Sequence, residues 1–157
     1  TGHLVLSTVH TNSAAAAITR LVDMGVEPFL LASSVKAVLA QRLVRQLCAS
    51  CKQPYQASKD TAAKLGLKSQ QLELYQPTGC SECQNTGYRG RIGIYELIMV
   101  NDDIRRMIQD GAGELDIEAR AIADGLPVLA DSGRDLVLSG DTTLEEILRV
   151  SRLKEPE

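Results

Sequence analysis

The sequence predicts a mixed α/β chain that carries a small inserted cysteine module and ends in a run of helices. Three observations carry this reading. An apolar run, Leu4 to Val9, leads through a polar turn into a segment with one apolar helical face. A polar stretch punctuated by Pro54, Pro77 and Gly79 and bounded by Cys48 and Cys83 interrupts the apolar pattern. Beyond Val100 the periodic segments are helical, with Gly111, Gly125 and Gly140 between them.

Composition limits the possibilities further. A chain of 157 residues with 44% hydrophobic content buries a real core, but aromatic residues make up only 3%, with no Trp and a single Phe. The core is therefore built from Leu, Val, Ile and Ala, which suits packed α/β layers better than an all-β sandwich. Lys and Arg number 17 against 20 Asp and Glu, a net charge of -3 that argues against a broad nucleic-acid surface. No apolar run reaches the roughly 20 residues that span a bilayer. No basic leader precedes an apolar block, so a soluble, intracellular protein is expected. The chain opens at Thr1 without Met and enters an apolar stretch at once, as a chain cut inside a domain does.

Leu4 to Val9 reads as a strand buried on both faces, of the kind a parallel sheet requires. A helix follows, capped by Asn12 or Ser13, with Ala14, Ala17, Ile18, Leu21 and Val22 on one face and Gly25 after it. Pro28 suits the first turn of a short helix reaching about Ser34. Val35 to Cys48 fits either period, helix or strand. Within the cysteine-bounded stretch, Ala62 to Leu67 is expected to be helical. Gly87 to Arg91 reads as a turn and Ile92 to Val100 as a strand. Helices are then expected from Asn101 to near Gly111, from Glu114 to Asp124, from Ala130 to Leu138 and from Leu144 to Val150. The last start carries capping-box spacing between Thr143 and Glu146.

The four cysteines form two pairs, Cys48-Ala-Ser-Cys51 and Cys80-Ser-Glu-Cys83. Two residues between thiolates let both sulfurs of a pair face one ion, and two pairs complete a tetrahedron. One zinc bound by Cys48, Cys51, Cys80 and Cys83 is expected; a pair of disulfides, disfavoured in a reducing compartment, or four unrelated buried thiols are the alternatives. Four thiolates close the shell, so such an ion is structural and fastens a core-poor insertion.

His3 and His10 are the only histidines and bracket the first apolar run. A hydrogen-bonded structural histidine is the ordinary reading, but His10-Thr11-Asn12 places three polar groups where a strand meets a helix, the usual place for ligand contacts in open α/β sheets. Gly87-Tyr-Arg-Gly-Arg-Ile-Gly93 is no Walker A loop, because no Lys-Ser or Lys-Thr follows and a strand comes next. Arg89 and Arg91 are either a solvated turn or contacts to a phosphate or an acidic neighbouring subunit. Arg20, Arg42 and Arg45 share that ambiguity.

Taken in order, Thr1-Gly-His-Leu-Val-Leu-Ser-Thr-Val-His-Thr-Asn-Ser-Ala14, Leu39-Ala-Gln-Arg-Leu-Val-Arg45, the two cysteine pairs and Gly87-Tyr-Arg-Gly-Arg-Ile-Gly-Ile-Tyr-Glu96 resemble the type II secretion ATPases (general secretion pathway protein E) and the related type IV pilus assembly ATPases. The resemblance implies the C-terminal part of a RecA-like domain: core over residues 1–47, zinc module over 48–83, a returning strand over 84–100 and a helical subdomain over 101–157. It implies that Ala37 to Cys48 is a strand paired with Arg91 to Ile98. It further implies a cytoplasmic homo-hexamer at the inner-membrane face of a bacterial envelope, attached through membrane platform proteins, hydrolysing ATP with Mg²⁺ and driving pseudopilus or pilus assembly. His10 would sense phosphate, with His3 a weaker candidate, and Arg89 and Arg91 would meet nucleotide or a neighbouring subunit. The P-loop Gly-x-x-x-x-Gly-Lys-Ser/Thr and the acidic Walker B strand do not occur in these 157 residues, so the chain alone is expected not to hydrolyse ATP. A zinc-stapled interaction module without motor function is the competing reading.

Overall fold

A computed structural model describes residues 2–67 and 72–150. Residues 68–71 of the expected zinc module and the end of the expected helical tail lie outside the described residues. The elements run α1 (Ala14–Asp23), α2 (Pro28–Ser34), β1 (Ala37–Leu47), β2 (Gln53–Gln56), α3 (Lys59–Lys64), β3 (Glu73–Gln76), a 3₁₀ turn (Ser81–Cys83), β4 (Tyr88–Met99), α4 (Asp102–Gln109), α5 (Glu114–Ala123), α6 (Leu129–Leu138) and α7 (Leu144–Val150). β1 pairs with β4, and β2 pairs with β3 in a separate two-stranded sheet. The stretch from Val35 that fits either period is thus a strand, paired as the family resemblance implies.

Two compact units partition the chain: the described residues up to Ala40 with Glu96–Pro127, and Gln41–Tyr95 with the described residues from Val128 on. In the first, α1 packs on α5 and α2 on α4 around Ile18, Leu31, Ile98, Ile104, Ile108 and Ile117. Ser13, not Asn12, caps α1, its Oγ accepting from Ala16 N–H at 2.9 Å. Asn101 caps α4 in the same way through Ile104 N–H at 2.9 Å.

The run Leu4–Val9 is not a strand. It takes no regular secondary structure, and Leu4, Val5 and Leu6 are 79–88% exposed. A strand exists only with a neighbour to complete its ladder, and neither sheet among the described residues offers one to this segment. His3 and His10 accordingly do not bracket a strand.

The second unit is centred on Val44, Leu74, Ile94, Val137 and Ile147, with Leu65 behind α3. β2 and β3 are antiparallel, with Tyr55 opposite Leu74. β3 packs on α6, and α6 on α7, where a Cβ on Gly133 would meet the Ile147 side chain at 2.8 Å. Several boundaries move from expectation, two of them for a visible reason. α3 begins at Lys59, not Ala62, because Ser58 Oγ accepts from Thr61 N–H at 3.1 Å. β4 begins at Tyr88, since the turn is completed earlier by Gln84 and Asn85, both left-handed with φ of 53° and 60°.

The capping box at α7 is only half formed. Glu146 N–H reaches Thr143 Oγ1 at 3.4 Å, but the Glu146 carboxylate, 1% exposed, is held by arginines instead. It accepts from Arg45 N–H at 2.9 Å, from the Arg45 guanidinium at 2.7 Å and from Arg149 at 3.2 and 2.7 Å. Arg45 also lies over the Tyr88 ring at 4.2 Å, and Tyr88 Oη meets Thr143 Oγ1 at 3.1 Å. One carboxylate thereby ties β1, β4 and α7. Burial pushes the Glu146 pKa up, but the bonds from Arg149 and Arg45 outweigh it and bring the pKa down from 4.5 to about 2.

This fixes the sign of a pH effect. A carboxylate with a depressed folded-state pKa stabilises the fold above its unfolded pKa and loses that contribution as pH falls toward the folded value. Because both guanidiniums are about half exposed, solvent screening reduces the gain to about 2 kcal/mol. Glu146→Ala should lower urea-unfolding stability by about that amount at pH 7. The gap between variant and parent should narrow below pH 4.5 and close near pH 2. A gap independent of pH would show that packing, not charge, makes the contribution.

Candidate metal centre

Cys48 follows the last residue of β1, and its N–H donates to Gly87 O at 3.0 Å, just ahead of β4. The strand pair therefore brings the two ends of the inserted segment together. After Cys48 the chain turns tightly: Cys51 N–H and Lys52 N–H both donate to Cys48 O, at 3.2 and 2.9 Å. The second pair sits on the 3₁₀ turn, where Asn85 N–H donates to Cys80 O at 2.8 Å and Thr86 Oγ1 donates to Cys83 O at 2.6 Å.

The four sulfurs converge, all within 4.8 Å of one another. Cys48 and Cys80 Sγ lie 3.9 Å apart, Cys51 and Cys83 3.8 Å, and Cys80 and Cys83 3.7 Å. A tetrahedron of Zn–S bonds of about 2.3 Å has sulfur–sulfur edges of about 3.8 Å. The geometry suits one tetrahedral thiolate-bound ion and leaves no open position. No disulfide joins any of the four.

Backbone donors complete the cradle. Gly79 N–H points to Cys51 Sγ at 3.3 Å, and Cys80 and Gly87 N–H point to Cys83 Sγ at 3.2 Å each. Both glycines are obligatory: at φ of 105° a Cβ on Gly79 would strike Asn85 O at 2.9 Å, and at φ of 76° one on Gly87 would overlap Pro77 Cβ at 2.4 Å. Burial raises the Cys83 pKa, but the two N–H donors, together with hydrogen bonds from the Cys80 and Cys51 thiols, overcome it and lower it to about 6. Burial pushes Cys51 up to about 11 against the single Gly79 donor, aided by the neighbouring thiols. Metal capture at this set releases protons, because every ligand must be a thiolate.

The site is fastened on its outer side by Glu82, which accepts from Ser50 Oγ at 2.7 Å and pairs with Arg89 at 3.2 Å. Lys52 Nζ donates to Gly140 O at 2.7 Å while lying 4.7 Å over the Tyr75 ring, and Leu47 N–H donates to Asp141 O at 2.8 Å. The module thus rests on the turn between α6 and α7. The structure brings the four cysteines together and gives Arg89 an acidic partner; His3, His10 and Arg91 are exposed. Among the described residues the cysteines are the one group of His, Cys, Asp or Glu with metal-holding geometry, and neither histidine joins it. Arg45, an ambiguous arginine in the sequence, is the partner of Glu146.

The family model described as "Type II/IV secretion system protein" matches residues 1–149. The chain belongs to this family. Among curated members of the secretion family, it is 54% identical over 153 residues to the type II secretion system protein E of Pseudomonas aeruginosa, and 50% identical over 153 residues to the type II secretion system ATPase E of Vibrio cholerae. Each of those alignments covers 97% of this chain and 30% of the relative. The type IV pilus assembly ATPase PilB of Thermus thermophilus is 45% identical over 151 residues, 94% of this chain and 17% of that protein. The chain thus spans about a third or less of the length of the secretion family members it matches.

The contacts of the module with the α6–α7 turn would determine the effect of losing an ion held by the four cysteines. Stripping metal from protein loaded with zinc should raise amide hydrogen exchange in β2, β3, the 3₁₀ turn and also α6 and α7, while α1, α2, α4 and α5 keep their protection. Exchange increases confined to residues 48–83 would show that the turn contacts carry no stability.

Proposed function

We propose that this chain is the C-terminal portion of a cytoplasmic, hexameric ATPase that powers type II protein secretion by driving pseudopilus assembly. The observation that carries the reading is identity of 50–54% to type II secretion proteins across 97% of the chain. The alternative within the family is pilus assembly, supported by the 45% identity to PilB. No helix among the described residues is long and apolar enough to cross a membrane. In this reading the full-length protein attaches to the inner membrane through platform proteins. ATP and Mg²⁺ are bound by the nucleotide-binding portion of the full-length protein.

Within this portion, Cys48, Cys51, Cys80 and Cys83 hold one zinc. Bound there, zinc serves as a cross-link and not as a catalyst, since four thiolates fill its shell. His10 acts where charge develops on the transferred phosphate, His3 is a secondary candidate, and Arg89 and Arg91 face nucleotide or a neighbouring subunit. Arg89 is held beside the metal centre by Glu82, so its contact is made from the module's side.

Two measurements test this. Deleting the gene that encodes the chain should abolish release of secreted enzymes while leaving twitching motility intact; the opposite pattern would select the pilus reading. In the full-length protein, His10→Ala should lower turnover by about tenfold or more and shift nucleotide affinity by less than about twofold. Equal loss of affinity and rate would remove His10 from the phosphate-sensing role.

A further inference from the structure

The residues that follow His10 are anchored more heavily than a helix start requires. Ser13 already caps α1 through Ala16 N–H at 2.9 Å, and a single side-chain cap is the usual provision. Yet Ala14 N–H donates at 2.7 Å to Oε1 of Glu96, a residue 82 positions away on β4 and only 4% exposed. Ser13 Oγ donates at 2.8 Å to Oε1 of Glu114, the first residue of α5 and 101 positions away. Thr11 Oγ1 donates to Ser13 O at 3.0 Å. Residues 11, 13 and 14 are thus each fixed, two of them to remote carboxylates.

Burying a carboxylate is unfavourable unless something specific holds it. The partial positive charge at the start of α1 and the Ala14 N–H contribute to that hold. The same contact fills the place at which a helix N-terminus would otherwise receive an anion. Ahead of the helix, His10 is the ionisable side chain of the His10-Thr11-Asn12 segment.

We propose that Glu96 is a positioning residue for the His10-Thr11-Asn12 segment, fixing the end of that segment against β4, with Glu114 as a second, weaker anchor. The proposal rests on the phosphate-sensing reading of His10 and adds the group that holds it in place. The logic is geometric: catalytic side chains on loops depend on the elements that fix the loop, and displacement by about 1 Å can lower a rate about a hundredfold.

The test uses the full-length ATPase with steady-state hydrolysis and fluorescent-nucleotide binding. Glu96→Ala should lower kcat by about tenfold to a hundredfold with nucleotide Kd within about twofold, while Glu96→Gln, which keeps an acceptor for Ala14 N–H, should recover most of it. Glu114→Ala, at a half-exposed site that does not threaten folding, should lower kcat by about threefold to tenfold. In a His10→Ala background the Glu114→Ala loss should disappear, because both act through one group. If His10→Ala leaves kcat unchanged, the phosphate-sensing reading fails and the proposal with it. If His10→Ala lowers kcat while folded Glu96→Gln and Glu114→Ala variants behave as parent in both backgrounds and Glu96→Ala, where it folds, does too, the reading stands and the positioning role is wrong. Should Glu96→Ala not fold, the Glu114→Ala cycle decides: additive losses in the two backgrounds overturn the proposal.

Discussion

The pairing of β1 with β4 is the constraint on which the metal centre depends. These strands flank the inserted segment, and the bond from Cys48 N–H to Gly87 O at their ends brings the first cysteine pair beside the second. Without that pairing the sulfurs would have to be gathered across a long loop at an entropic cost that only the ion could offset. With it, an ion would close a gap already narrowed to hydrogen-bond distance. The cradle is pre-shaped as well: the N–H groups of left-handed Gly79 and Gly87, and that of Cys80, point at the sulfurs. Charge on a thiolate is thereby met by fixed backbone dipoles before any metal arrives.

Two buried carboxylates organise the rest, by different physical means. Glu146 sits among two guanidiniums and a backbone N–H, and its low pKa records how strongly they hold the charged form. Glu96 accepts from the first N–H of a ten-residue helix. Each satisfies the rule that a buried charge must be paired or hydrogen-bonded. Each also joins segments more than eighty residues apart in the chain, which fixes strand to helix more directionally than apolar contact does.

Much of this was legible in the sequence, and what was missed has identifiable causes. The cysteine pairs were readable because ligand spacing is a local property, and the helices after Asn101 because caps and glycines punctuate them. Leu4–Val9 was misread because apolar content reports the wish to be covered, not the presence of a neighbouring strand. β2 and β3 were missed because strands of four residues are too short to show an alternation, and Pro54 within β2 reads as a turn signal. The helical period hid Glu146's role, since a capping-box glutamate and a buried ion-pair glutamate occupy the same position. Glu96 did leave a signal: Ile94, Glu96 and Ile98 share one face of β4 and all are buried, so strand parity marks the carboxylate as inward.

The contacts of the cysteine module narrow what its ion contributes. A four-thiolate site performs no chemistry, so its effect is mechanical and is determined by which elements touch it. Lys52 grips Gly140 O from above the Tyr75 ring, and a Cβ on Gly140 would overlap that ring at 2.4 Å, so the approach is as close as the backbone permits. Leu47 N–H reaches Asp141 O and Thr142 Oγ1 reaches Arg45 O, adding two bonds from the strand that enters the module. A freely displayed loop would make none of these contacts. An ion held there would therefore stiffen a body made of the module, the adjoining strand ends and the α6–α7 pair, because the module is bonded to those helices at the Gly140–Thr143 turn.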